Sequence, residues 1–242
     1  GDVSKLLAPP YDVLNQADKD RLLAGSENNI VAVDMPHVPP KQLGPRAEYE
    51  QAAALLKQWK TGGVLRQDER PCIYVYEQAY QWAGRSYVRR GMIAGVRATE
   101  LGQDVIPHEH TFAGPIADRM MLTELTRTQL SSIFGFYEDA GGKVAAILAA
   151  AAEKPPVEHG TLGGVVEKLW KIDDPAAVGQ IVAALADTPV FIADGHHRYT
   201  TALSYRKQLE SVGALGDDHE ARFVMFALVA KGDPGLVILP TH

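Results

Sequence analysis

The sequence predicts an α+β protein, a mixed α/β chain in which helices and strands are interleaved, and three observations carry that prediction. Cys72 to Trp82 and Ser86 to Val96 are strand-like runs on either side of Ala83-Gly84-Arg85, which reads as a β-hairpin. Arg46 to Lys60 keeps helical spacing through Tyr49, Ala52, Ala53, Leu56 and Trp59, and Gly62-Gly63 stops it. From Ser131 onward, strand-like and helix-like stretches alternate. The hairpin argues against a pure doubly wound sheet.

The elements follow in order. Pro9-Pro10 forbids a helix, so residues 5–14 are extended. Asn15 is placed to cap a helix from Gln16 to about Ala24, stopped by Gly25. Ile30 to Met35 reads as a short strand ended by Pro36, and Pro39-Pro40 and Gly44-Pro45 mark a loop. Residues 97–116 have little periodicity. A helix is expected from about Ala117 to Leu130, a strand over Ser131 to Tyr137 and a helix over Lys143 to Ala152. Pro155-Pro156 opens a loop through Gly160, and Val165 to Ile172 is a strand. Asp174-Pro175 starts a helix to about Ala186, with proline at its first position. A strand into Asp194, a helix from Thr200 to Leu209, a strand from Phe223 to Ala230, a turn at Gly232 to Gly235 and a last strand to Leu239 complete the chain. Two lobes are expected, 1–100 with the hairpin and 101–242 with the chemically rich motifs, or one continuous domain spanning both. The start at Gly1 and the stop at His242 read as boundaries of a longer chain.

The 242 residues suffice for a real core, with 46% hydrophobic and 22% charged. A net charge of −6 argues against a general DNA-binding role, although a local basic pocket can still hold a phosphate cluster. Cys72 is the only cysteine, so no intrachain disulfide or cysteine zinc site can form, and the cytoplasm is the expected compartment. No apolar run reaches the ~18 residues of a membrane span, so no membrane association is expected.

Chemistry concentrates in two stretches. In the first, Val190 to Ala193 reads as a short buried strand, Asp194-Gly195 as a turn, and the helix follows. Gly195, His196, His197 and Arg198 therefore stand where a strand hands over to a helix. The first amides of a helix lack internal partners and its dipole is positive there. Glycine permits close approach of a ligand, arginine supplies a planar fork for phosphate or carboxylate, and histidines add titratable groups. Together they read as an anion site. The alternative is a plain turn in which Asp194 is only an N-cap.

The second stretch runs from Ile106 to Arg119. If His108, Glu109 and His110 are extended, the two histidines share a face and could ligate a metal. Glu109 could instead be a general base or hold magnesium. Asp118-Arg119 reads as helix capping with a surface pair. Tyr11-Asp12 after Pro9-Pro10 is a rigid polar tip. There is no Gly-x-Gly-x-x-Gly and no Walker sequence, which argues against a Rossmann dehydrogenase and a P-loop enzyme.

Four ordered motifs then carry a resemblance: Ala8 to Val13, His108-Glu109 to Thr111 with Asp118-Arg119, Phe191 to Tyr199, and Leu239 to His242. Together they resemble the bacterial and archaeal family called domain of unknown function 1015. More distantly, the strand, Gly turn, basic residues and helix are similar to the phosphate-binding corner of the ParB and sulfiredoxin superfamily, which includes ADP-dependent free-serine kinases. The resemblance implies such a corner within a larger mixed sheet. It implies that Gly195, His196, His197 and Arg198 hold nucleotide phosphates, with Arg119 reaching the same charge. Glu109 or Asp194 would be the catalytic base or a magnesium ligand. His108, His110, Thr111, Tyr11 and Asp12 would line the substrate or support these groups. The corner lacks the cysteine of sulfiredoxins and the chain lacks a basic DNA-binding half, so sulfinic-acid repair and DNA partition are not expected.

The expectation is a kinase-like phosphotransferase that takes ADP or ATP with magnesium and acts on a small hydroxyl substrate. One alternative is a non-catalytic nucleotide or anion sensor. The other is a metal-dependent hydrolase using His108, His110, Asp194 and His196 or His197.

Overall fold

The computed structural model describes residues 1–237. The strand end at Leu239 and the motif Leu239 to His242 lie outside them, and Leu236 and Val237 are in no strand. Helix α1 (Gln16–Gly25) starts where Asn15 accepts from the Asp18 amide and Asp18 reaches back to the Asn15 amide, a reciprocal capping box. Helix α2 (Val31–Asp34) replaces the strand expected over 30–35. The buried Asn29 side chain explains the change. It donates to the carbonyls of Lys5 and Leu7 and accepts from the Val31 amide, which turns the chain at that point. A short apolar run buried on several sides carries no period that separates the two structures.

Helix α3 (Arg46–Thr61) buries Tyr49, Ala52, Leu56 and Trp59, the stripe read from the sequence. Strands β1 (Ile73–Trp82) and β2 (Arg85–Arg97) form the expected hairpin. Within the stretch of weak periodicity lies a short strand, β3 (Val105–Ile106). Helix α4 (Ala113–Thr126) begins earlier than expected, because Pro115 is accommodated in its first turn. It ends at Arg127 in the left-handed region. Strand β4 (Ile133–Tyr137) and helix α5 (Lys143–Ala151) are as expected.

The loop expected through Gly160 is instead strand β5 (Glu158–Leu162), paired antiparallel with β6 (Val165–Ile172). Gly163 and Gly164 join them with φ of 57° and 83°, the pair of positive angles that matches strand twist in a two-residue hairpin. Helix α6 (Pro175–Leu185) is capped by the Asp174 side chain. Strand β7 (Val190–Asp194) leads into α7 (His196–Ser211). That helix starts four residues before the expected Thr200, so His196, His197 and Arg198 form its first turn. Strand β8 (Phe223–Ala230) ends the regular structure described.

The strands form one eight-stranded mixed sheet ordered β3-β7-β4-β8-β2-β1-β6-β5. Among the described strands only β3 with β7 and β4 with β8 are parallel pairs. The early hairpin sits in the middle, with β2 paired to β8 and β1 to β6. The boundary at residues 100–101 therefore cuts through a sheet that both halves build. The main core joins Val75, Met92, Phe226 and Ile192 of the sheet to Leu148, Ile181 and Tyr199 of the helices. Helix α4 packs on α7, and α3 packs on α4 through a second cluster around Tyr49, Trp59 and Leu122. Among the described residues no helix is long and apolar enough to cross a membrane.

Candidate functional site

The corner after β7 is built around Gly195, whose φ is 99°. A Cβ there would lie 3.1 Å from the Arg198 Cζ and Nε, so the backbone angle favours glycine and any side chain would also press on the guanidinium. Gly195, not Asp194, is the N-cap of α7, and no side chain caps that end. The leading amides of a helix have no acceptors within it. Arg198 folds back over the corner. Its Nη2 donates to Asp194 Oδ2 at 2.5 Å and its Nη1 to the Ser132 carbonyl. The Asp194 side chain stays 59% exposed while that of Arg198 is 13% exposed, so the carboxylate, and not the guanidinium, faces solvent.

The segment from Ile106 to Phe112 docks onto this corner. The His108 amide donates to His196 Nε2 at 3.2 Å and the Phe112 amide to His197 Nε2 at 3.0 Å. Each imidazole accepts at Nε2, which assigns its proton to Nδ1 and makes it neutral. His108 Nδ1 lies 2.8 Å from the Ile192 carbonyl, to which it donates. Glu109 lies between two rings, with Oε2 3.6 Å from His196 Nδ1 and Oε1 3.8 Å from His108 Nε2. Burial, followed by the nearby His108, holds the His196 pKa below its ordinary value. Thr111 and Thr200 bring their hydroxyls to 3.5 Å, and His110 is exposed.

Arg119, Tyr11 and Asp118 belong to a separate, buried cluster. The expectation of capping plus a surface pair is corrected here, because Asp118 and Arg119 are only 1% and 6% exposed and the N-cap of α4 is Phe112. Arg119 Nε donates to Asp118 at 2.9 Å and its Nη1 to the Asp34 carbonyl at 2.7 Å, with an Asp34 carboxylate oxygen at 3.2 Å. Its guanidinium lies 3.7 Å from the centre of the Tyr11 ring. Tyr49 donates to Asp118 at 2.6 Å and accepts from the Gly44 amide, while Ser131 donates to Asp34. A buried charge is stable when paired in this way. Burial pushes the hydroxyls of Tyr11 and Tyr49 up to about 12. Asp12 stands apart, paired with Lys41 at 3.3 Å.

Asp34, Tyr49 and Ser131 were not singled out by the sequence. The one local signal was a carboxylate inside the apolar run from Val31 to Met35. Phe112 was missed as well, although an aromatic residue beside His110 and Thr111 was visible.

A cleft of about 1370 Å³ runs between α4, α7 and β8. Asp34, Arg119, Ser131 and Arg198 line it together with Thr201 and Tyr205 of α7. Arg198 is thus shared between the α7 corner and the cleft. Among the described residues, no group of three or more His, Cys, Asp or Glu side chains could hold a metal ion. The hydrolase alternative finds no ligand set there, and His196 and His197 already use Nε2 as acceptors.

A protein-family model described as "Protein of unknown function (DUF1015)" matches residues 1–242. No curated protein and no solved structure gives a match. The strand, Gly turn and helix of the corner are present as elements, and none of these comparisons ties them to the ParB and sulfiredoxin superfamily.

Proposed function

Since the chain belongs to the DUF1015 family, whose description assigns no chemistry, we propose from the site itself that the protein is a nucleotide-dependent phosphotransferase acting on a small hydroxyl substrate. ADP or ATP is the phosphoryl donor. The observation that carries this reading is the position of Arg198. It lies in the first turn of α7, is tied to the exposed Asp194, and lines the cleft. The first turn of α7 and the cleft therefore meet at one residue.

The uncapped amides of His196, His197 and Arg198 receive the phosphates, where the helix dipole favours negative charge. Arg198 acts as a positioning residue, because its Nη1 is held by the Ser132 carbonyl and its Nη2 by Asp194. The acceptor lies in the cleft, and its hydroxyl oxygen attacks the terminal phosphorus. The bond from that phosphorus to the bridging oxygen breaks, the shortened nucleotide leaves, and the hydroxyl proton passes to Asp194. Glu109 is exposed on the other flank, and one carboxylate with nucleotide phosphates is a sufficient protein contribution for magnesium. Bound there, magnesium supplies charge neutralisation on the phosphate oxygens. The single cysteine and the absence of any intrachain disulfide support a cytoplasmic setting.

The test is phosphorus NMR of ATP and magnesium incubated with the protein and a panel of small alcohols, sugars and hydroxy amino acids. A new phosphomonoester resonance is expected. Asp194→Asn should lose it while retaining ATP binding by calorimetry. Binding without any product would leave the sensor alternative, and no binding would overturn both.

A further inference from the structure

We propose that Phe112 is the platform on which the nucleobase stacks, and that the site therefore prefers purine nucleotides; this rests on the phosphate-site reading above. Phe112 is 69% exposed, more than any other Phe or Trp among the described residues. Its place in the fold does not account for it. It stands at the N-cap of α4, where its side chain makes no capping bond, and that position ordinarily takes Ser, Thr, Asp or Asn. No core cluster includes it.

Its neighbours are those of the corner. The Phe112 ring lies near-parallel to that of His197, at 28° and 6.0 Å between centroids. Its backbone amide is held by His197 Nε2 at 3.0 Å. Four residues earlier the same segment is pinned by His108, at its amide and at Nδ1. The exposed ring is thus carried on a braced segment rather than on a free loop. His197 is the second residue of α7, so a base on Phe112 leaves its own phosphates beside the helix amides. Stacking is available to every base because every base has a π-face, and it grows with overlap, which favours purines.

Calorimetric titration with magnesium complexes of ADP, CDP and pyrophosphate tests this directly. Wild-type protein is expected to bind ADP about tenfold or more tightly than pyrophosphate, the increment that one base–aromatic stack provides, with CDP between them. Phe112→Ala should bring ADP to the pyrophosphate level and leave pyrophosphate unchanged, and Phe112→Trp should retain the ADP increment. ADP binding that is unaffected by Phe112→Ala would overturn the platform and leave the phosphate site standing. If neither ADP nor pyrophosphate binds, the phosphate site itself fails and the platform with it. Because the ring is exposed, Phe112→Ala should keep the wild-type melting temperature.

Discussion

Removing the Tyr49 hydroxyl would strand two groups at once, the buried Asp118 carboxylate oxygen it donates to and the half-buried Gly44 amide it accepts from. Tyr49→Phe should cost about 1–3 kcal/mol, the penalty for leaving buried polar groups without partners, measurable by urea unfolding. The same cluster sets an alkaline limit. Tyr11 and Tyr49 are held protonated to about 12 in the folded chain, against an unfolded value near 10. The unfolded chain releases these protons first, so their stabilisation is full below pH 10 and is lost as pH rises toward about 12. Stability followed from pH 9 to 11.5 should fall less steeply in Tyr49→Phe than in wild type. Gly195→Ala brings both a disfavoured backbone angle and a contact with Arg198. It should destabilise the fold by about 1–3 kcal/mol and displace Arg198 from Asp194.

The docking of the 106–112 segment on the first turn of α7 rests on two separable amide bonds. His197→Ala should raise hydrogen exchange at the Phe112 amide and spare His108, while His196→Ala should do the reverse. Equal loosening of both amides in either variant would contradict this assignment. At this scale the sequence was partly legible. The stripe of α3, the cap of α1 and the hairpin of β1 and β2 are local patterns, and they stand in the structure as read. The start of α7 was not legible. A helix that opens on Gly195-His196-His197-Arg198 shows no apolar period until Tyr199. The strand β5 was hidden by Pro155-Pro156 and a polar run, although Gly163-Gly164 was a usable hairpin signal. The pairing of Arg119 was the least legible. Its partner Asp34 lies 85 residues earlier, and no local rule reaches that far.

On the scale of the whole molecule, the sheet binds the halves together. Strands from the first hundred residues occupy its centre, so neither 1–100 nor 101–242 can complete its own hydrogen bonding. Expressed separately, neither half should give a cooperative thermal transition by circular dichroism; a cooperative transition in 101–242 alone would show an independent lobe. The same architecture brings the end of β7 and the α4–α7 cleft together at Arg198, and sets the segment after β3 on His196 and His197 in the same helical turn. The claim that most needs testing is that phosphates sit on the first turn of α7. The measurement is a proton–nitrogen correlation spectrum of the protein titrated with ADP and magnesium. The amides of His196, His197 and Arg198 should shift together and saturate at one dissociation constant, with those on β5 and β6 unmoved. Saturable shifts elsewhere that leave these three amides in place, or no saturable shift at all, would contradict the account.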